Sequence, residues 1–400
     1  MKPLSFMLIA GEASGDKLAA ELVGALRRQV LAASSAPTDD VQPLRTELAP
    51  RFLGAGGPQM KAAGVELAFD LTQHSVTGVS DVLKNLLKFR RLFHQLLRLA
   101  IERQPDVIIG VDYGGFNLRF GKAIKAYVRL HCREFTPWNP KLVQFVSPQV
   151  WASRPERAYV LAENCDLLLS IFPFEKDWYA QRVPQFRVEF VGHPITERSP
   201  ESCVQRPKPA DGTSVLLLPG SRADEVRRHW PVATGAFELM RKQSPALRGR
   251  AVLPNKPMAD AVQKLGVPAG LELQVGGLSA ALATADLALA KSGTVTMECA
   301  WFGVPAVVFY KTSWPNYLIA KQVVTVPYLA MPNLLAGEEL FPEFLQHAAT
   351  PENIARAALE LLRDEPRRQS IRTALPKLIA SLGGPGATDR AARAILSLHP

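Results

Sequence analysis

Short apolar runs alternate with segments of helical periodicity along almost the whole chain. Leu4–Ala10 reads as a buried strand, and Asp16–Val30 as the helix that follows it. Arg51–Leu53, Asp106–Val111, Leu142–Val146, Asp166–Ile171 and Val188–Val191 continue the series as strands. Val215–Leu218, Arg250–Leu253, Asp286–Ala290 and Ala306–Tyr310 repeat it after an interval. Strands that alternate with helices, and are apolar throughout, predict parallel sheets covered by helices on both faces. The expected fold class is therefore α/β, with two Rossmann-like, doubly wound domains.

The segment 194–213 (PITERSPESCVQRPKPADGT) is rich in proline, serine and charge, which suits an exposed linker. The domains are accordingly expected at 1–194 and 195–386, with a terminal helix in 387–400 left unassigned. Ala33–Glu47 has the composition of a surface insertion. No internal repeat of fixed period is present.

A chain of 400 residues, 47% hydrophobic and 21% charged, can bury two cores and does not have a disordered composition. The formal net charge of +10 points to an anionic partner: nucleic acid, a phospholipid surface or phosphate-bearing substrates. Cys132, Cys165, Cys203 and Cys299 are widely spaced and form no zinc pattern, so they read as reduced thiols of a cytoplasmic protein. Leu4–Ala10 is too short for a signal-peptide core and meets Gly11, Glu12 and Asp16 at once. No apolar run approaches the roughly 18 residues of a membrane span. Val82–Ala100 combines a wide apolar stripe with Lys84, Lys88, Arg90, Arg91 and Arg98, which suits either a membrane-surface helix or an ordinary covering helix. No RNA-binding aromatic motif or basic arm supports nucleic acid.

Ligands of open parallel sheets gather beyond the carboxyl ends of the strands, so the loops there carry the chemistry. The first strand runs into Gly11-Glu12-Ala13-Ser14-Gly15-Asp16, a turn whose glycines and helix start suit an anion or a sugar. The alternative is a tight turn capped by Ser14 or Asp16. Its spacing is not GxGxxG, so no dinucleotide is indicated. Asp112 follows DVIIGV directly, where a carboxylate can act as general base on a hydroxyl or simply cap the next helix. In the second half, Pro219-Gly220-Ser221-Arg222 ends a strand, and Arg222 offers a forked donor to a diphosphate. Lys291-Ser292-Gly293-Thr294 opens a helix whose N-terminus can hold phosphate, with Glu298 one turn further in for ribose hydroxyls. No Asp-x-Asp motif follows a strand, so neither a metal nor a cofactor is expected.

Read together, AGEASGD (10–16), GAGGPQMKAAG (54–64), PDVIIGVDYGGFN (105–117), FVSPQVWASRPER (145–157), FPFEKDWY (172–179), FVGHP (190–194), LLLPGSRADEV (216–226), KSGTVTMEC (291–299) and MPNLLAGEEL (331–340) resemble the lipid-A-disaccharide synthases, in order and spacing, over nearly the whole chain. The resemblance implies a glycosyltransferase-B fold, with two Rossmann-like domains facing a cleft. It implies a metal-free inverting transfer from UDP-2,3-diacylglucosamine to 2,3-diacylglucosamine 1-phosphate, which gives the β-1,6 disaccharide phosphate and UDP. It puts the base at Asp112 and an essential arginine at Arg222. It places Ser292, Gly293, Thr294 and Glu298 at UDP, and Asn333 in a segment that faces the cleft. It further implies a peripheral protein on the inner face of the inner membrane, drawn to an anionic surface; the oligomeric state stays open. Gly115 stands where the family commonly has a second acidic residue, Ser153 replaces an aromatic, and 33–47 is inserted. Two other functions fit parts of the pattern: a UDP-N-acetylglucosamine 2-epimerase and a non-enzymatic lipid-binding protein.

Overall fold

A computed structural model describes residues 3–33, 49–74, 86–131, 137–197 and 213–398. The chain divides into two compact units, Met1–Glu197 with Leu382–Pro400, and Arg198–Ser381. The terminal segment thus returns to the first unit.

In the first unit the strands are β1 (Ser5–Ala10), β2 (Arg51–Gly56), β3 (Glu66–Asp70), β4 (Val107–Val111), β5 (Lys141–Phe145), β6 (Leu167–Ser170) and β7 (Val188–Phe190). Its helices are α1 (Ala13–Ala33), α2 (Pro58–Ala62), α3 (Leu86–Arg103), α4 (Gly114–His131), α5 (Val150–Ser153), α6 (Arg157–Asn164) and α7 (Pro173–Ala180). The second unit holds β8 (Ser214–Leu218), β9 (Arg248–Leu253), β10 (Leu271–Val275), β11 (Leu287–Lys291), β12 (Ala306–Tyr310) and β13 (Glu343–Leu345). Its helices are α8 (Ala223–Gln243), α9 (Lys256–Leu265), α10 (Leu278–Ala283), α11 (Thr294–Trp301), α12 (Trp314–Val323), α13 (Met331–Ala336), α14 (Pro351–Arg363) and α15 (Glu365–Ala380); α16 (Ala387–Leu396) closes the first unit.

The sheet orders are β3-β2-β1-β4-β5-β6-β7 and β10-β9-β8-β11-β12-β13, with every pairing parallel. Each sheet winds outward in both directions from a central pair, β1/β4 in one unit and β8/β11 in the other. Those pairs are topological switch points, where the two loops leaving the strands diverge and open a crevice. The central strands are buried on both faces, which explains their unbroken apolar runs; all six residues of β1 are buried.

An aspartate before each of three strands ties the sheet at the opposite end. Asp106 Oδ2 accepts from the Ser5 amide at 2.8 Å, Asp166 Oδ2 from Leu142 at 2.7 Å and Asp286 Oδ2 from Ser214 at 2.9 Å. Each bond joins adjacent strands and fixes their register.

Helix α3 covers the first sheet. Leu96 and Ala100 are buried, and Phe93 meets Phe116 and Phe120 edge-on at 5.5 and 5.7 Å. Its apolar stripe therefore serves the core over most of its described length. Leu87 is the exception at 82% exposure, beside exposed Lys88, Arg90 and Arg91. Val82 and Leu83 lie outside the described residues, as do Cys132 and Cys203; Cys165 and Cys299 are free thiols.

The FVGHP motif docks the returning chain. The His193 amide donates to Leu382 O at 2.9 Å, and Arg390 Nε to Val191 O at 2.7 Å. Glu197 accepts from the Ala387 and Gly386 amides at 2.6 and 3.1 Å, which caps α16.

Candidate active site

In the first unit the switch point brings the Gly11–Asp16 and Asp112–Gly115 loops together. A Cβ on Gly11 would lie 2.4 Å from the Tyr113 ring, so only glycine lets that ring settle over the first loop. Gly15 lies against Asp112 with ordinary packing: a Cβ there would stand 3.5 Å from that of Asp112. Tyr113 stacks on Phe116 at 5.6 Å. Burial raises the Tyr113 pKa, and Glu12 adds to the rise.

Asp112 and Tyr113 have φ values of 52° and 41°. Two successive non-glycine residues in the left-handed region are costly, and such strain gathers at functional sites. Here it swings the chain sharply out of β4. Asn117, one turn into α4, donates from Nδ2 to the Asp112 carbonyl at 2.8 Å. Gly110 makes room for it, since a Cβ there would lie 2.7 Å from the Asn117 amide. Glu12 and Asp112 are half-buried and Ser14 is exposed, so these three border the solvent.

Asp16 lies deeper than Glu12 and Ser14 of its loop. It is 1% exposed, and its oxygens accept from the Gly57, Gln59 and Met60 amides at 2.7, 2.9 and 3.1 Å. It caps α2 from α1, so its carboxylate is engaged by backbone. The reason is geometric: one turn of helix carries Asp16 away from the loop mouth and beneath the turn after β2.

The second unit has the same arrangement at β8 and β11. Gly220 takes φ 125° so that the chain passes close to Glu225. Glu225 Oε1 lies 2.9 Å from Lys291 Nζ and 3.6 Å from Arg222 Nη1. Burial pushes this carboxyl pKa up, but Lys291 and Arg222 outweigh it and hold it below the usual range. Two cations around one carboxylate leave a surplus positive charge at the strand ends, which suits a diphosphate.

In the Lys291–Thr294 loop, Gly293 and Thr294 are exposed at the N-terminus of α11, while Ser292 turns inward and donates to Leu329 O at 3.2 Å. Thr294 and the half-buried Glu298 are four residues apart and share one helix face.

Asn333 is likewise held by its surroundings. It is fully buried, donates to Phe341 O and Glu343 Oε1 at 2.7 and 2.8 Å, and accepts from the Phe341 amide at 2.9 Å. Its amide is engaged by the turn before β13.

His229 was not visible as a site residue in the sequence. Its Nε2 accepts from the Lys311 amide at 2.9 Å, which leaves Nδ1 to donate to Pro219 O at 3.1 Å. The ring therefore ties the end of β8 to the end of β12. Burial lowers its pKa to about 4, with Lys291 adding to the effect, so it is neutral at physiological pH. Nothing in the sequence marks it, since its two partners, Pro219 and Lys311, are 10 and 82 residues away.

The sequence profile of the lipid-A-disaccharide synthetase family matches residues 6–397. The chain belongs to the lipid-A-disaccharide synthase family. The member from Alkalilimnicola ehrlichii is 34% identical over 98% of this chain and 97% of its own. The kitacinnamycin glycotransferase has a similar fold, with TM-score 0.61, 19% identity and full coverage of both chains. So does a UDP-GlcNAc 2-epimerase from Neisseria meningitidis bound to UDP-GlcNAc, with TM-score 0.53, 11% identity and coverage of 99% and 100%. At such identities these two likenesses speak for the glycosyltransferase-B fold alone, and the family match disfavours the epimerase and non-enzymatic alternatives. A side chain at Gly115 would meet nothing within 4 Å.

Proposed function

We propose that the chain is an inverting glycosyltransferase that joins UDP-2,3-diacylglucosamine to the 6-hydroxyl of 2,3-diacylglucosamine 1-phosphate. The observation that carries this reading is the left-handed pair Asp112–Tyr113 at the switch point of the first sheet, in a chain of the synthase family. In the proposed step Asp112 takes the proton of the acceptor hydroxyl as its oxygen forms a bond to the anomeric carbon. The bond from that carbon to UDP breaks on the opposite face, which gives the β-linkage. The charge that collects on UDP is met by Arg222 and by the free amides at the start of α11, with Lys291 behind them. Glu12 and Ser14 contact the acceptor, with Gly11 and Gly15 shaping the loop. Gly220, Ser221, Gly293, Thr294 and Glu298 contact the nucleotide.

No helix among the described residues is long and apolar enough to cross a membrane. Both substrates carry acyl chains and phosphate, and the net charge of +10 favours an anionic leaflet. The reading therefore includes peripheral work at the inner face of the inner membrane, with Leu87 and its basic neighbours touching the surface.

Asp112→Asn tests the base. Asparagine tolerates the left-handed conformation as aspartate does, so the turn survives and only the proton acceptor is lost. Turnover should fall roughly 10²–10⁴-fold, with UDP affinity and melting temperature unchanged. Turnover near that of the unsubstituted protein removes Asp112 from the role.

A further inference from the structure

Asp112 and Tyr113 are not the only strained residues at this end of the sheet. Val146, the first residue after β5, has φ 69°. For a β-branched side chain that is the least tolerated of the three conformations. Left-handed turns thus leave two neighbouring strands, and one side chain touches both. Gln144 of β5 is 2% exposed, and its Nε2 donates to Asp112 O at 2.9 Å and to Val146 O at 3.1 Å. Phe145 O is a longer contact at 3.4 Å.

Gln144 sits opposite Gly110 in the β4/β5 register. The side chain that Gly110 lacks leaves space on that face for two amides, Gln144 and Asn117, to converge on the Asp112 carbonyl. The backbone closes the ring, because the Asp112 amide donates to Phe145 O at 2.8 Å. Asp112 is therefore gripped at both its amide and its carbonyl by the carboxyl end of β5, through Phe145 and Gln144.

We propose that Gln144 is a positioning residue for the transfer: by bridging the Asp112 and Val146 carbonyls it locks both turns and sets the direction of the Asp112 carboxylate. The inference rests on Asp112 being the base. A donor is essential at this position, since three carbonyl oxygens face it and none can accept from a carboxylate or a thioether. Relaxation of the turn moves the carboxylate, and a displacement of about 1 Å costs on the order of 10²-fold in rate.

The test compares Gln144→Met, Gln144→Glu and Asp112→Asn in one acceptor-dependent UDP-release assay on the full chain. Gln144→Met keeps the size and lacks the donor. Its kcat should fall on the order of 10²-fold at every pH, with the KM for the UDP-sugar unchanged. Gln144→Glu places a carboxylate against the carbonyls when ionised and restores one O–H donor when protonated. Its kcat relative to the unsubstituted protein should rise as pH falls from about 8.5 to about 6, a carboxyl buried there having a raised pKa. A role in stability alone would lower the melting temperature without that recovery. Gln144→Met with unsubstituted kcat, or Gln144→Glu with a deficit as flat as that of Gln144→Met, overturns the inference. If Asp112→Asn alone is inactive while both Gln144 variants are fully active, only the positioning role fails. If Asp112→Asn is fully active, the reading of the base fails instead.

Discussion

Replacing Asp16 by alanine separates a structural carboxylate from a substrate contact. The side chain reaches out of α1 and accepts three backbone amides at the start of α2, of which those from Gly57 and Met60 are buried and that from Gln59 is half-buried. A hydrogen bond to a charged acceptor contributes about 1.5–3 kcal/mol, and a buried amide left without a partner costs about 1–3 kcal/mol. Two orphaned amides, partly relieved by entering water, place the loss at about 3–5 kcal/mol. Asp16→Asn keeps one acceptor oxygen but turns an NH₂ toward donors, so about half that loss is expected. The assay is denaturant unfolding, with hydrogen exchange at Gly57–Met60 to locate the loosening. At a denaturant-free temperature where the variant stays folded, the KM for the acceptor should be unchanged. A variant within about 1 kcal/mol of the parent, or one of full stability with a strongly raised acceptor KM, would return Asp16 to the ligand site.

Three further substitutions follow from the same geometry. Glu175 is buried, receives Trp151 Nε1 at 2.9 Å, and burial raises its pKa from 4.5 to about 7 despite that bond. The native state keeps this proton where the unfolded chain releases it, so the contribution of Glu175 to the stability of the first unit is complete below about pH 4.5 and falls by about 3 kcal/mol as pH rises to 7; Glu175→Gln should remove that contribution to the slope in melting curves. His229 acts oppositely in the second unit, since its pKa is lowered from 6.5 to about 4: its share of stability is complete above 6.5 and is lost as pH falls toward 4. His229→Leu should abolish this slope and, by leaving Lys311 N and Pro219 O unpaired, weaken UDP binding measured by calorimetry. Gly115→Asp meets open space in the first turn of α4, where a carboxylate favours the helix dipole, so its melting temperature should match or exceed the parent's.

The central strands were legible because both their faces are buried, and β1, β4, β8 and β11 read as unbroken apolar runs. The strands without such a signal, β3, β10 and β13, are edges of their sheets and half-exposed along their length. The loops at the strand ends were also legible, since a glycine-rich turn after an apolar run has few other purposes. What the sequence could not separate was which polar residue in a motif is held by backbone and which borders the solvent. Asp16 and Asn333 lie in motifs as recognisable as that of Asp112, yet their hydrogen bonds run to backbone far along the chain or around a turn. Gln144 and His229 look like ordinary residues on a strand and a helix; only register and tertiary contact reveal that each ties two strand ends together. The wide stripe of α3 carried both a membrane and a core reading, and packing against Phe116 and Phe120 assigns most of it to the core.

The most direct test of the central claim is UDP release by the purified protein in detergent, given UDP-2,3-diacylglucosamine with and without 2,3-diacylglucosamine 1-phosphate. The account predicts release that depends on the acceptor and matches, mole for mole, the formation of a disaccharide phosphate. Folded protein that releases no UDP across several acyl lengths, or releases it equally without the acceptor, would contradict it.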